Sequence, residues 1–223
     1  MWNNPLTIWH DLPNAASLAS ALSQAMQRHV LQALSLQPKV LVGLAGGSTP
    51  MAAYADFSQA TLPWQQLEFV LIDERFVPIT DSQSNEANIS QAFTNIKTKI
   101  GAWHGLYQHA ETIEQSAALA NEQVKKLDAA MDIVIVGMGA DGHIASLFVE
   151  SADYVSAMEI TSTEAVLPIR FEQQEQKIDR LSFTLAELLK AKKMLICISG
   201  AEKRSVLESS INGTTPKYAV AQL

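Results

Sequence analysis

Cysteine is almost missing from this chain. Among 223 residues there is one, Cys197, inside the apolar stretch MLICIS. No disulfide can close within the chain, and a reducing compartment fits. The thiol itself reads as a small buried apolar group rather than a nucleophile. A basic excess is missing too: 16 Lys and Arg stand against 23 Asp and Glu, for a formal net charge of −7. With no basic stripe, a duplex nucleic-acid binder is disfavoured, although an anionic metabolite needs only a few local cations. No apolar run approaches the ~20 residues that span a bilayer. The opening MWNNPLTIWHDLPN lacks a basic segment followed by an apolar one, so no targeting peptide is read there. Paired cysteines and His-x-x-x-His are absent, and with them any metal set legible from spacing. Internal repeats, low-complexity tracts and linkers are equally lacking. The expectation is one soluble, cytoplasmic domain over residues 1–223 with no nucleic-acid or membrane partner. Monomer and weak dimer both stay open.

What is present is an ordinary globular balance, 48% apolar and 17% charged, in a chain long enough for one substantial domain and short for two. Strand-like and helix-like segments alternate. Strands are expected at 6–10, 39–45 (KVLVGLA), 67–73 (LEFVLID), 132–137, 180–184 and 194–199, with an edge strand at 218–223 and two short strands within 154–171. A long amphipathic helix is expected at 14–36, with Leu18, Leu22, Met26, Val30 and Leu34 on one stripe. Another follows Gly46-Gly47, with Pro50 in its first turn. A third starts near Glu86, capped by Ser84 or Asn85. Further helices are expected at 111–128, 185–192 and 201–210, and a turn at 212–216 (NGTTP). Strands separated by helices pair in parallel through right-handed crossovers, so the class is α/β with a mostly parallel sheet.

In such a sheet, ligands bind beyond the carboxyl ends of the strands. Four strands carry unusual chemistry there: Gly46-Gly47-Ser48-Thr49-Pro50, Asp73-Glu74-Arg75, Asp141-Gly142-His143, and Gly200 followed by Lys203. The third set is the most informative. The run from Ile133 to Val136 breaks at Gly137-Met138-Gly139 and delivers a carboxylate and an imidazole two residues apart. Imidazole moves protons near neutral pH, and a neighbouring carboxylate orients it. The GGSTP stretch is either a plain turn or an anion cradle, with close backbone N–H groups and the Ser48 and Thr49 hydroxyls as donors. Lys203 sits unfavourably for a cation, in the first turn of a helix. A bound phosphate is one reason for it; a solvated lysine is the other. At Asp73-Glu74-Arg75, at least one charge faces the pocket by strand alternation, or the acids pair with Arg75 structurally. His10, His29, His104 and His109 lack comparable settings.

LAGGSTP (44–50), IDERFVP (72–78) with Ser84-Asn85, GMGADGHIASLF (137–148), RLSFT (180–184) and SGAEKRSVL (199–207) together resemble 6-phosphogluconolactonase, in the family's order and over most of the chain. The wider superfamily includes glucosamine-6-phosphate deaminase, and the resemblance implies its three-layer αβα Rossmann-like fold. The deaminases share the Gly-Gly-Ser-Thr loop and the Asp-Gly-His corner, but continue Ile-Ala-Phe-Asn-Glu-Pro. Here Phe148 stands where their glutamate would be. Arg75 also matches the lactonase pattern, where deaminases favour an aromatic residue. Val149 departs from the usual Leu-Phe-Pro, and the chain lacks the longer tail of many relatives.

The resemblance implies hydrolysis of 6-phospho-D-glucono-1,5-lactone to 6-phosphogluconate in the oxidative pentose phosphate pathway, without cofactor or metal. It makes His143 the general base, with Asp141 orienting it and Asp73 positioning water or a sugar hydroxyl. Ser48, Thr49 and the amides of Gly46 and Gly47 would hold phosphate, with Arg180 and Lys203 as counter-charges. Arg75 would touch phosphate or the product carboxylate. A non-catalytic sugar-phosphate sensor is the third reading. The single long helix before Lys39 leaves it no room for a DNA-binding helix-turn-helix.

Overall fold

Short apolar runs that end at glycine or at a charge build a parallel sheet. The computed structural model describes residues 8–170, 172–173, 176–213 and 218–223. The strands are β1 (Val40–Leu44), β2 (Leu67–Leu71), β4 (Ala102–His104), β5 (Ile133–Gly137) and β10 (Met194–Cys197), in the spatial order β10-β5-β1-β2-β4. Every adjacent pair is parallel. All five residues of β1 are buried, as expected of a strand covered on both faces. The parallel direction sends every carboxyl end to one rim.

Helices flank the sheet: α1 (Ala15–Leu34), α2 (Ser48–Phe57), α3 (Asn85–Ala92), α4 (Ile113–Lys125), α5 (Tyr154–Ala157), α6 (Leu185–Leu189) and α7 (Ala201–Ile211). The stripe expected on α1 is buried at Leu22, Met26 and Val30, and α1 packs on α2, β1, β5 and β10. Phe57, Phe69 and Phe93 meet in a fully buried aromatic cluster, with Trp64 edge-on to Phe57 at 5.3 Å. Each such side chain contributes about 1.5–3 kcal/mol by leaving water. No helix among the described residues is long and apolar enough to cross a membrane.

A second sheet, read in the sequence only as isolated segments, is antiparallel: β3 (Asp73–Arg75), β9 (Arg180–Phe183) and β6 (Val166–Ile169), in the order β3-β9-β6. Ile72 is the point of exchange. Its N–H donates to the Leu44 carbonyl at 3.1 Å, while its own carbonyl accepts from Phe183 N at 2.8 Å. The strand expected at 67–73 therefore stops at Leu71, and Asp73 begins a different sheet. A short antiparallel pair, β7 (Glu172–Gln173) with β8 (Gln176–Lys177), lies between β6 and β9.

Several local expectations are corrected. Residues 8–10 are not strand, and residues 6 and 7 lie outside the described residues. Of the two short strands expected within 154–171, the first is helix α5 and the second is β6; residue 171 lies outside the described residues. The C-terminal edge strand is instead a 3-10 helix, Ala219–Gln222, with Ala219 and Val220 buried. Small apolar residues at consecutive positions suit a tight helical turn against the core better than an alternating edge. β4 has no counterpart among the expected strands. The turn read at 212–216 includes residues 214–216, which lie outside the described residues.

Candidate active site

The rim formed by the strand ends gathers the expected residues from distant parts of the chain. Gly46 and Gly47 leave β1, and Ser48 and Thr49 open α2. Gly47 caps α2 with φ 96° and ψ 158°; Gly200 caps α7 with φ 93° and ψ 151°. These near-identical conformations are open essentially only to glycine. Neither helix has a side-chain cap. By contrast, Asn14, Ser84 and Thr112 cap α1, α3 and α4 with their side chains. Uncapped first-turn N–H groups, with the positive end of the helix dipole behind them, form a donor set for an anion. The two turns are adjacent: Thr49 Oγ1 lies 3.4 Å from Ser199 Oγ.

Lys203 sits in the first turn of α7, as expected, and has no carboxylate partner among the described residues. Burial pushes the Cys197 thiol up to about 12, while the Lys203 charge pulls it down. The ammonium thus acts on the end of β10.

Asp141 and His143 form a direct pair, with Nδ1 2.6 Å from Asp141 Oδ1. The loop is closed by Gly139 N donating to the His143 carbonyl at 2.9 Å and Gly142 N donating to the Gly139 carbonyl at 3.2 Å. Gly139 also leaves the space that the pair occupies: a Cβ there would fall 2.3 Å from both Asp141 Oδ1 and His143 Nδ1. Burial would raise the Asp141 carboxyl, but the hydrogen bond and charge of His143 outweigh it and hold the group below its ordinary value. An ionised carboxylate only accepts, so the proton of the neutral ring sits on Nδ1. Nε2 then carries the lone pair. Phe148 packs on this ring, centroids 4.3 Å apart.

The three charges after β2 have three fates. Glu74 is fully buried. It accepts from Arg75 N at 2.6 Å, Asn85 N at 2.6 Å, Glu86 N at 2.7 Å and Ser84 Oγ at 3.0 Å. Burial raises its pKa despite these donors. Glu74 is therefore an anchor at the N-terminus of α3 and makes no pair with the Arg75 side chain. Asp73, also buried, accepts from Ser146 Oγ at 2.8 Å and Asn85 Nδ2 at 3.3 Å. Arg75 donates to Asn85 Oδ1 and stands opposite Arg180 in the antiparallel register. Like charges placed so are mutually unfavourable. Burial first, then the Arg75 charge, lowers the Arg180 pKa; its buried Nε has no hydrogen-bond partner. Two facing guanidiniums with unused donors suit a bidentate anion.

Sequence reasoning alone gives Ser146, Asn85 and Glu74 none of these roles. Ser84-Asn85 carry a local helix-cap signal and, like the Ile-Ala-Ser run, a signal of resemblance, but neither shows these contacts, because the partners lie in other segments. A shallow depression of about 730 Å³ near α4 is lined by His109, Glu111, Gln115, Leu119 and Glu122 among others. It includes two carboxylates and no lysine or arginine, so it is a poor phosphate site.

The sequence profile of the family described as glucosamine-6-phosphate isomerases/6-phosphogluconolactonase matches residues 13–222. A 6-phosphogluconolactonase of Rhizobium meliloti is 32% identical, covering 89% of this chain and 84% of that protein. The solved structure of a 6-phosphogluconolactonase from Shewanella baltica superposes with a TM-score of 0.88 at 22% identity, covering 97% of this chain and 91% of the other. A putative 6-phosphogluconolactonase from Neisseria gonorrhoeae gives 0.81 at 26% identity, covering 92% and 88%.

Proposed function

The chain belongs to the glucosamine-6-phosphate isomerase/6-phosphogluconolactonase family, and from that premise we propose that it is a lactonase converting 6-phospho-D-glucono-1,5-lactone to 6-phospho-D-gluconate in the oxidative pentose phosphate pathway. The observation that carries this choice within the family is Phe148 against His143. A deaminase needs a carboxylate there for the proton relay that opens an amino-sugar ring, and phenylalanine offers no proton site. A lactone needs only water, a base, donors for the oxyanion and a hold on the phosphate.

His143 Nε2 takes a proton from water as its oxygen attacks the lactone carbonyl. The tetrahedral intermediate collapses, the bond to the ring oxygen breaks, and the imidazolium returns its proton to that oxygen. Asp141 holds the ring in the required tautomer and stabilises the transient cation. The amides of Gly46 and Gly47, with Ser48, Thr49, Lys203, Arg75 and Arg180, hold the phosphate. Their binding energy orients the reacting carbonyl. Residues 1–223 act as one functional domain. A reducing cytosol suits its lone, buried Cys197.

The test offers fresh 6-phosphogluconolactone and glucosamine 6-phosphate and follows acid release and ammonia separately, with spontaneous hydrolysis subtracted. Acid from the first and no ammonia from the second is the expected result. Ammonia release would overturn the assignment. Tight binding of either sugar phosphate without turnover would make the protein a sensor.

A further inference from the structure

One amide touches both halves of the rim. Asn85 is buried at the start of α3. Its Oδ1 accepts from the Arg75 guanidinium. Its Nδ2 donates to the Asp73 carbonyl at 3.0 Å and leans on Asp73 Oδ1 at 3.3 Å. The same side chain lies directly under the glycine loop: a Cβ on Gly46 would fall 2.2 Å from Asn85 Oδ1 and 2.5 Å from its Cγ. The other oxygen of Asp73 is 2.8 Å from Ser146 Oγ, three residues after His143, and Ser146 N donates to Ser182 Oγ at 3.2 Å. Between His143 and Ser146 the backbone passes through Ala145 at φ 48°, a conformation non-glycine residues adopt at a cost. The two Ser146 hydrogen bonds hold that strained turn in place.

We infer that Asn85 is a positioning residue common to both arms, fixing Arg75 under the phosphate loop and, through Asp73 and Ser146, fixing the loop that carries His143. The inference rests on the lactonase reading. It differs from it by giving a role to groups that touch no reacting atom. A merely structural Asn85 would change stability alone. A shared joint changes KM and kcat together, whereas a group on one arm changes one of them.

The experiment compares wild type with Asn85→Ala, Asn85→Asp and Ser146→Ala in steady-state hydrolysis of 6-phosphogluconolactone, with circular dichroism and Tm as fold controls. One lost hydrogen bond corresponds to roughly 3- to 10-fold. Asn85→Ala is expected to raise KM and lower kcat, each by about that factor. Ser146→Ala is expected to lower kcat by a similar factor with KM unchanged. Asn85→Asp keeps an acceptor for Arg75 but loses the donor to Asp73 and adds a negative charge under the phosphate loop, so its expected pattern is a raised KM with reduced kcat. Combining Asn85→Ala with Ser146→Ala should cost little more kcat than either alone, because both break one chain of contacts. A folded Asn85→Ala enzyme with unchanged kcat would overturn the inference, and so would full additivity in the double variant. Should Asn85→Ala fail to fold, Asn85→Asp and Ser146→Ala decide it by the same kcat criterion. Absence of wild-type turnover would instead sink the lactonase reading. An independent titration of inorganic phosphate then remains: it should shift the His143 imidazole resonances in wild type and not in Asn85→Asp, and equal shifts in both would refute the joint.

Discussion

Two loops leave the same edge of the parallel sheet one strand apart, and they use their polar groups in opposite ways. The loop after β1, Gly46 to Thr49, spends almost nothing on itself. Among the described residues its side chains make one long hydrogen bond, Thr49 to Ser199 at 3.4 Å, and the helix it opens has no side-chain cap. The loop after β5 is tied at every turn. Gly139 bonds His143, Asp141 bonds the imidazole, Ser146 bonds Asp73 and Ser182, and Val220 N reaches back to the Gly142 carbonyl at 3.2 Å. Donors kept uncommitted suit a group that must recognise a mobile dianion. Donors committed internally suit a base that must be held in one place. The difference supports the proposed division between a binding loop and a chemical loop.

The sharpest break in that comparison is His143→Ala. Removing the base from the tied loop should lower kcat by roughly 10²–10⁴, with KM nearly unchanged. Turnover at the wild-type rate, after correction for spontaneous hydrolysis, would end the general-base assignment. Next in size is Lys203→Ala, beside the open loop. A charged hydrogen bond of about 1.5–3 kcal/mol corresponds to a rise in KM of roughly 10- to 100-fold, with kcat less affected. If Lys203→Ala lowered kcat and left KM alone, the two loops would not divide binding from chemistry.

The third test asks whether charge helps hold the tied loop. The folded Asp141 pKa lies below its ordinary 3.8. A depressed carboxyl adds stability above that unfolded value, and the contribution is lost as pH falls through the folded one. Wild type should therefore exceed Asp141→Asn in Tm at pH 6, and the gap should close on acidification below about pH 4. A gap independent of pH would assign the loss to packing rather than to the ion pair.

Much of this rim was legible in the sequence because the decisive signals were local. KVLVGLA ending at Gly46-Gly47, and IVIV ending at Gly137, each state a buried strand and its stop within a few residues. The N-cap of α3 was legible in the same way, since Ser84 accepts from Ala87 N as a cap should. What was not legible depended on partners far along the chain. LEFVLID reads as one strand; only the Phe183 N–H, more than a hundred residues on, pulls Ile72 into the exchange that starts β3. Glu74 looks like a pocket charge until the N–H groups of Asn85 and Glu86 are folded against it. Ser146 is an unremarked small polar residue until Asp73 is placed 2.8 Å away. β4 is three residues, Ala102–His104, with no periodicity to read. Its strand character comes from pairing with β2.

The smallest expected effect concerns Cys197, at the end of β10, the edge strand beside the tied loop. It pairs in register with Gly137 at the end of β5, and its thiol feels the Lys203 charge on the other side. A reactive thiol here would mean that solvent or substrate reaches beneath the tied loop. Burial argues the reverse: the residue is 2% exposed and its pKa is pushed up to about 12. At pH 8 the thiolate fraction is then about one part in 10⁴, and attack requires the thiolate. Native protein treated with iodoacetamide at pH 8 should stay unlabelled by mass spectrometry and keep its activity, while denatured protein labels once. Rapid native labelling accompanied by loss of activity would show that the floor under the rim opens, and that the tied loop is less firmly held than its hydrogen bonds require.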